Sequence, residues 1–387
     1  MGIREDVGKI FSDGEDLTIG IEEEFQILDA ETLGLTNRFA QLKARADESF
    51  GGPLVHSELI RSEAEINSVK AYSFAEARQD MARKRSVLTE TARALGLRLC
   101  ATGTHPFSAW EDQSFIDNPH YRAVVDQLQY VAWTNNTFAM HVHIGVRGAD
   151  RVIALCDAFR SLIPPLLALS ASSPFLRGRQ TGLHSTRAQV FMRAFPRCGI
   201  PDAYGDWATY ADYAQFLYDT NGVTEATQIW WTVRAHHTFG TLEVRAADAN
   251  PRFEDSMGIA GLVVALVAAS LDEFDRKGHL PVHESRFIEE NRWRALRHGL
   301  DGKLINLDRR VEEPATVTIR RLLDRAAPVA DRLGVEEELA QVEVMLAEGN
   351  SAQRQLALYD SGMSLVDIHR AMIAETMGDC IGGRCTP

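Results

Sequence analysis

The sequence predicts an α+β fold, and three observations carry that prediction. Strand-like alternation clusters in the first two thirds of the chain, in "LTIGIEEEFQIL", "LRLC", "TFAMHVHIGV" and "QIWWTVRAHHTFGTLEVRAAD". Helical periodicity governs the chain from Ser256 to about Met377. The strands are not interleaved regularly with helices, as a doubly wound parallel sheet would require.

Residues 17–28 alternate and run into "DAETLGL" and "TNRF", the pattern of a strand, a turn and a returning segment. Within this strand, Glu22 and Glu24 share one face, while Glu23 points to the other with Ile21 and Phe25. Paired carboxylates on one face repel each other, so the strand is either an edge with a charged solvent face or a wall facing bound cations. In "ELIRSEAEINS", Glu63 and Glu65 share a face if the segment is extended; the start of a surface helix is the alternative. From Phe74, apolar residues at Ala77, Met81, Leu88, Ala92 and Leu95 mark a long amphipathic helix ending near Gly96. "LRLCATGTHPF" then reads as a strand entering a loop.

"TFAMHVHIGV" is an alternating strand that sends His141 and His143 to one face, an arrangement suited to a metal, a phosphate or a hydrogen-bonded core. The helical stretch after it is interrupted at Pro164 and Pro165. Residues 175–225 show little period and are expected to form a loop-rich lobe, with Arg177, Arg179, Arg187, Arg193 and Arg197 as candidate phosphate partners. Two strands joined by a short connection follow, and the second places Glu243 and Arg245 on one face, to pair with each other or to hold a metal and a phosphoryl group. The fold is expected to be one domain over residues 1–377, with 378–387 a flexible tail.

The chain has 387 residues, 45% of them hydrophobic, enough for a large core. Its net charge of −13 argues against nucleic acid or an anionic membrane as partner. The apolar run Met257–Leu271 is shorter than the roughly 20 residues that cross a bilayer, and is expected to be a buried helix. Five cysteines without CxxC spacing, and a start lacking a signal-peptide pattern, predict a cytoplasmic protein. No P-loop, GxGxxG, HExxH or GxSxG motif occurs. Four strand-like segments instead offer Glu, His or Arg at a spacing of two, an oxygen-rich donor set that suits Mg²⁺ or Mn²⁺ and a polyphosphate substrate.

In order along the chain, "GIEEEF", "ELIRSEAEI", "GTHPF", "MHVHIGV", "SSPFLRGRQTG" with "STRAQV", "IWWTVR", "GTLEVRAAD", "ENRWRALRHGLDG" and "AQRQLALY" resemble the carboxylate-amine ligases of the glutamate-cysteine ligase type 2 (YbdK-like) group. The resemblance implies a curved antiparallel sheet of the glutamine synthetase catalytic-domain type, with helices on its outer face and a helical C-terminal third. It implies ATP and Mg²⁺ (or Mn²⁺), and amide-bond formation between a carboxylate, foremost that of glutamate, and cysteine or another amine through an acyl phosphate. It marks Glu22, Glu24, Glu65, His141 and Glu243 as metal ligands. It marks His141 for metal and nucleotide and Arg245 for the transferring phosphate; the HxH pair and the arginine-rich segment add His143, Arg179 and Arg187 as candidate nucleotide contacts, with Arg187 acting beside Arg245 in phosphoryl transfer. Thr232, Glu63 and Met140 depart from residues common in that group and are expected near the substrate pocket. A metal-dependent amidohydrolase built on the HxH pair, or a nucleotide-binding homologue without ligase activity, are the alternatives. A homodimer acting on small molecules is the default assembly.

Overall fold

The structure is a computed structural model that describes residues 3–381 and 384–385. Its centre is an antiparallel sheet in the order β2, β1, β4, β8, β7, with β3 also paired to β1. The strands are β1 (Ile19–Asp29), β2 (Glu63–Asn67), β3 (Leu97–Cys100), β4 (Ala139–Gly145), β7 (Val233–His236) and β8 (Thr241–Asp248), with the short pair β5 (Phe175–Leu176) and β6 (Arg179–Gln180) apart from it. Strand β1 is interior rather than an edge: β2 and β3 pair with it, and β4 pairs with Ile19 to Glu23.

Alternation divides this sheet into two chemically distinct faces. Ile21, Phe25, Ile27, Val142, Ile144 and Leu242 are at most 1% exposed and form the core face. Helices Phe74–Ala94, Ala149–Phe159 and Phe253–Lys277 pack against the sheet. The polar residues at the intervening positions have the opposite face to themselves.

The first of these helices follows its sequence signals. Ser73 caps it by accepting from the Glu76 backbone N–H, the Glu76 carboxylate accepts from Tyr72 N–H, and it ends before Gly96 at φ 66°. Pro164 and Pro165 open the helix Ile163–Ser170 rather than break one, because the first turn has no use for their missing N–H groups. Two helical stretches, Ala149–Ser170 and Phe253–Lys277, are long and apolar enough to cross a membrane. Their apolar windows are 89% and 78% buried inside the fold, so they serve as core helices, and the second is longer than the apolar run within it.

Other expectations need correction. The segment returning from β1 makes only an isolated bridge, Leu28 to Leu35, before a helix begins at Phe39. The region 175–225 contains two capped helices, Thr186–Ala194 and Trp207–Asp219, started by Ser185 and Asp206. The helical final third is interrupted by a hairpin of β9 (Lys303–Asn306) and β10 (Val311–Pro314). Apart from these corrections, Cys380–Ile381 pairs with Arg384–Cys385 within the stretch expected to be a tail, of which residues 382–383 and 386–387 lie outside the described residues.

Candidate active site

A cavity of about 320 Å³ opens on the polar face of the sheet. Strand register assembles its lining. Glu24 stands opposite Glu65, Glu22 opposite His141, His143 opposite Glu243, and Glu243 opposite Arg234. Residues directly opposite on one face are close neighbours, so these pairings draw one row of ionisable groups across five strands. All seven line the cavity, together with Glu58 and Glu63.

The two histidines orient the row. His141 donates from Nδ1 to Glu22 Oε2 at 2.9 Å, which leaves its Nε2 a buried lone pair without a hydrogen-bond partner among the described residues, 3.9 Å from Glu24 Oε1. A carboxylate on one ring nitrogen with the other free is the arrangement of a metal-ligating histidine. His143 bonds Thr241 Oγ1 through Nδ1 at 3.0 Å, and its Nε2 lies 3.2 Å from Glu22 and 3.8 Å from Glu243. Potential ligand atoms of Glu22, His143 and Glu243 fall within 4.8 Å of one another. The cluster of Glu22, His143 and Glu243 therefore fits a divalent cation, and Glu24, Glu65 and His141 line the same cavity.

Electrostatics support the same reading. Burial opposes ionisation of Glu22, but the His143 charge and hydrogen bonds from both histidines outweigh it and hold its carboxyl well below the usual range. Burial, then the neighbouring carboxylates, push Glu63 and Glu65 well above that range and Glu58 up to about 8. Glu63 and Glu65 are also nine-tenths or more buried by surface area, whereas Glu58 is half-buried. Carboxyls stacked this densely stay protonated until a cation arrives to neutralise them. Burial acts against Glu243 too, yet Arg234 and Arg245 hold it well below its ordinary value.

A β-bulge sets the arginines. Between Met140 and Val142 the β4–β8 register shifts, because β8 carries an extra residue around Arg245 and Ala246. The Ala246 and Arg245 carbonyls at the bulge accept from Arg187 Nη1 and Nη2, at 3.4 and 3.3 Å. Arg245 pairs through Nη1 with Glu243, while its buried Nε has no partner among the described residues. Asp248, opposite Ala139 past the bulge, accepts from Ser173 and Ser185 hydroxyls at 2.6 and 2.8 Å and lies 3.8 Å from Arg187. Ser173 Oγ also accepts from Arg187 N–H, so the buried carboxylate and the arginine share one scaffold.

Two placements differ from expectation. Arg179 is exposed on the β5–β6 hairpin and lines no part of the cavity, because Arg177 and Gly178, both at positive φ, turn that strand toward solvent. Among the departures, only Glu63 lines the cavity: Thr232 is buried and donates to Gly199 O at 2.8 Å, and Met140 lies on the core face. Sequence reasoning left Arg234 without a role, although it bonds Glu243 Oε2 at 2.6 Å from the neighbouring strand. Alternation within "WTVRAH" marked its face, but only the β7–β8 register identifies its partner. Glu58 opens "ELIRSEAEINS", but its spacing of seven from Glu65 crosses a turn, where alternation gives no guidance.

The family model described as glutamate-cysteine ligase family 2 (GCS2) matches residues 18–377. A protein of Sorangium cellulosum named "Putative glutamate--cysteine ligase 2" is 39% identical over 354 residues, 90% of this chain and 92% of that one. A protein of the same name from Solibacter usitatus is 37% identical over 360 residues, 93% of each chain. Among solved structures, a glutamate-cysteine ligase from Francisella tularensis in complex with AMP aligns at TM-score 0.65 and 14% identity, over 94% of this chain and 89% of that one. A bifunctional glutathione synthetase from Pasteurella multocida aligns at TM-score 0.70 and 15% identity, over 97% and 54%. At these identities the structural likeness speaks to the fold alone, an antiparallel sheet with helices packed on one face.

Proposed function

The chain belongs to the glutamate-cysteine ligase family 2, and from that premise we propose that it is an ATP-dependent, ADP-forming carboxylate-amine ligase that activates the carboxylate of L-glutamate and joins it to cysteine or another amine. The observation that carries this reading is the placement of two arginines, Arg187 and Arg245, beside a row of glutamates and histidines in a single cavity. A triphosphate and a carboxylate repel each other, and a site that brings them together needs cations on both.

In the first step a carboxylate oxygen of the substrate attacks the γ-phosphorus, and the bond to the β-phosphate oxygen breaks with its electron pair leaving on ADP. Arg245, which lines the cavity and whose Nε is unpartnered among the described residues, would stabilise the equatorial oxygens with Arg187 beside it. In the second step the amine lone pair attacks the acyl carbon, phosphate leaves with the C–O electrons, and the ammonium proton passes to solvent. Glu22, Glu24, Glu65, His141 and Glu243 would hold Mg²⁺, which when bound offsets the negative charge of the triphosphate. The glutamates act as ligands rather than as bases: histidine and arginine hold Glu22 and Glu243 ionised, while burial first and the neighbouring carboxylates second push Glu65 well above its ordinary value.

The test is product analysis with purified protein, ATP, Mg²⁺, glutamate and a panel of amines. Amine-dependent release of ADP and phosphate is expected. Release of AMP and pyrophosphate would rule out the acyl phosphate, and hydrolysis of an amide without ATP would favour the amidohydrolase reading.

A further inference from the structure

A second cavity, of about 380 Å³, adjoins the first, and Thr137 lines both. The short segment before β4 forms the partition: Asn135 and Ala139 line the first cavity, Thr134 and Asn136 the second. Helix Thr186–Ala194 forms another wall, with Arg187 and Phe191 in the first cavity and Val190 and Arg193 in the second. The two cavities thus share Thr137 and the helix that bears Arg187.

Its lining is that of a ligand site. Trp110 and Tyr130 meet edge to face, with ring centres 5.9 Å apart, and Val190 and Leu176 extend the apolar wall. Asn136 is only 4% exposed, yet neither its Oδ1 nor its Nδ2 has a hydrogen-bond partner among the described residues. A buried primary amide left with its donor and acceptor unmade is costly, and a ligand that supplies both removes the cost. Arg193, with a side chain 63% exposed, comes no nearer than 3.9 Å to Glu289, its ion-pair partner, and so remains available to an anionic group.

We infer that the second cavity binds the amine co-substrate, and that this co-substrate is an α-amino acid with an aromatic or similarly large apolar side chain. Trp110 and Tyr130 take the side chain, Asn136 takes a polar group of the amino acid, and Arg193 takes its carboxylate. The amino group is placed toward Thr137, the lining residue that the two cavities share. Cysteine would leave the aromatic wall unused. The inference rests on the ligase reading and narrows its acceptor.

The experiment compares ADP release from ATP, Mg²⁺ and glutamate with L-phenylalanine, L-cysteine or hydroxylamine, a nucleophile too small to need the second cavity. The kcat/KM for phenylalanine is expected to exceed that for cysteine by about tenfold or more. Trp110→Ala and Asn136→Ala should each lower the phenylalanine-to-hydroxylamine ratio of kcat/KM by about tenfold, mainly through KM. A preference for cysteine, or parallel loss with both nucleophiles, would overturn the inference. Absence of ADP release even with hydroxylamine would instead defeat the ligase reading. In that case calorimetric titration of phenylalanine decides the cavity: weaker binding to Trp110→Ala than to the unmodified protein supports it, and unchanged binding, or displacement by adenosine, overturns it.

Discussion

Glu23 and Arg85 form a buried ion pair beneath the sheet, with Arg85 Nη1 3.0 Å from Glu23 Oε1 and both side chains at most 6% exposed. Arg85 also donates to the carbonyls of Pro251 and Thr376, tying β1 to the start of one core helix and the end of another. The middle glutamate of "EEE" therefore stabilises the fold from the face opposite the site. Glu23→Gln should destabilise the protein by about 3–5 kcal/mol, as when one partner of a buried pair is removed. Below its lowered Tm, the variant should keep Mg²⁺-dependent kcat within a few-fold. Glu22→Gln and Glu24→Gln should do the reverse, abolishing turnover with little loss of stability. Urea titrations beside ADP-release rates separate the two classes.

The packed carboxyls predict an unusual pH response of the metal-free protein. Glu58 has an ordinary value of 4.5 and is pushed up to about 8 by burial first and by the Glu24 charge second. Between these values the native state holds a proton that the unfolded state has released, so stability falls as pH rises. The contribution is fully present below 4.5 and gone once pH passes about 8, and the raised values of Glu63 and Glu65 act in the same direction. Mg²⁺ held as proposed would bind the deprotonated set, so the rise in Tm on adding it should be larger at pH 8.5 than at pH 6. An equal rise at both pH values would mean that the cation does not meet these carboxyls.

Arg187→Lys should cost about 10²- to 10³-fold in kcat with a smaller change in the KM for ATP. Lysine cannot reach two carbonyls and a phosphate with one ammonium, whereas the guanidinium of Arg187 bonds the Ala246 and Arg245 carbonyls and keeps further donors free. Steady-state kinetics with ATP as the varied substrate checks the split.

Gly103 lies against the scaffold that holds Arg187. A methyl group there would come within 2.7 Å of the Asp248 carboxylate, which is anchored by Ser172, Ser173 and Ser185 and cannot retreat freely. Gly103→Ala should therefore lower stability by about 1–3 kcal/mol. It should also lower kcat by roughly 10- to 100-fold, because the helix bearing Arg187 begins on the same serines. Thermal unfolding and initial rates on the same preparation would show both effects.

Local pattern was enough to read the faces of β1, β4 and β8, since alternation alone separates Glu22 and Glu24 from Glu23 and pairs His141 with His143. The long helix from Phe74 was equally legible, from its period, its Ser73 cap and Gly96. Position across strands was not. The partnership of Arg234 with Glu243 and the bulge at Arg245 depend on register, which arises when segments far apart in sequence meet. The helices Thr186–Ala194 and Trp207–Asp219 escaped notice because aromatic and arginine side chains blur their apolar period, although Ser185 and Asp206 carried ordinary capping signals.

The register that builds the row of donors also sets an order of assembly. Glu22 reaches Glu243 only through β4, so two neighbouring groups in space are separated by most of the first two thirds of the chain. During synthesis the acidic strand emerges early, and its carboxylates wait, without their histidines and arginines, until β8 has left the ribosome. Binding of the proposed cation would thereby report that the sheet has closed. Nascent chains halted before Glu243 should lack it, and chains extended beyond Asp248 should acquire it together with protection from proteolysis.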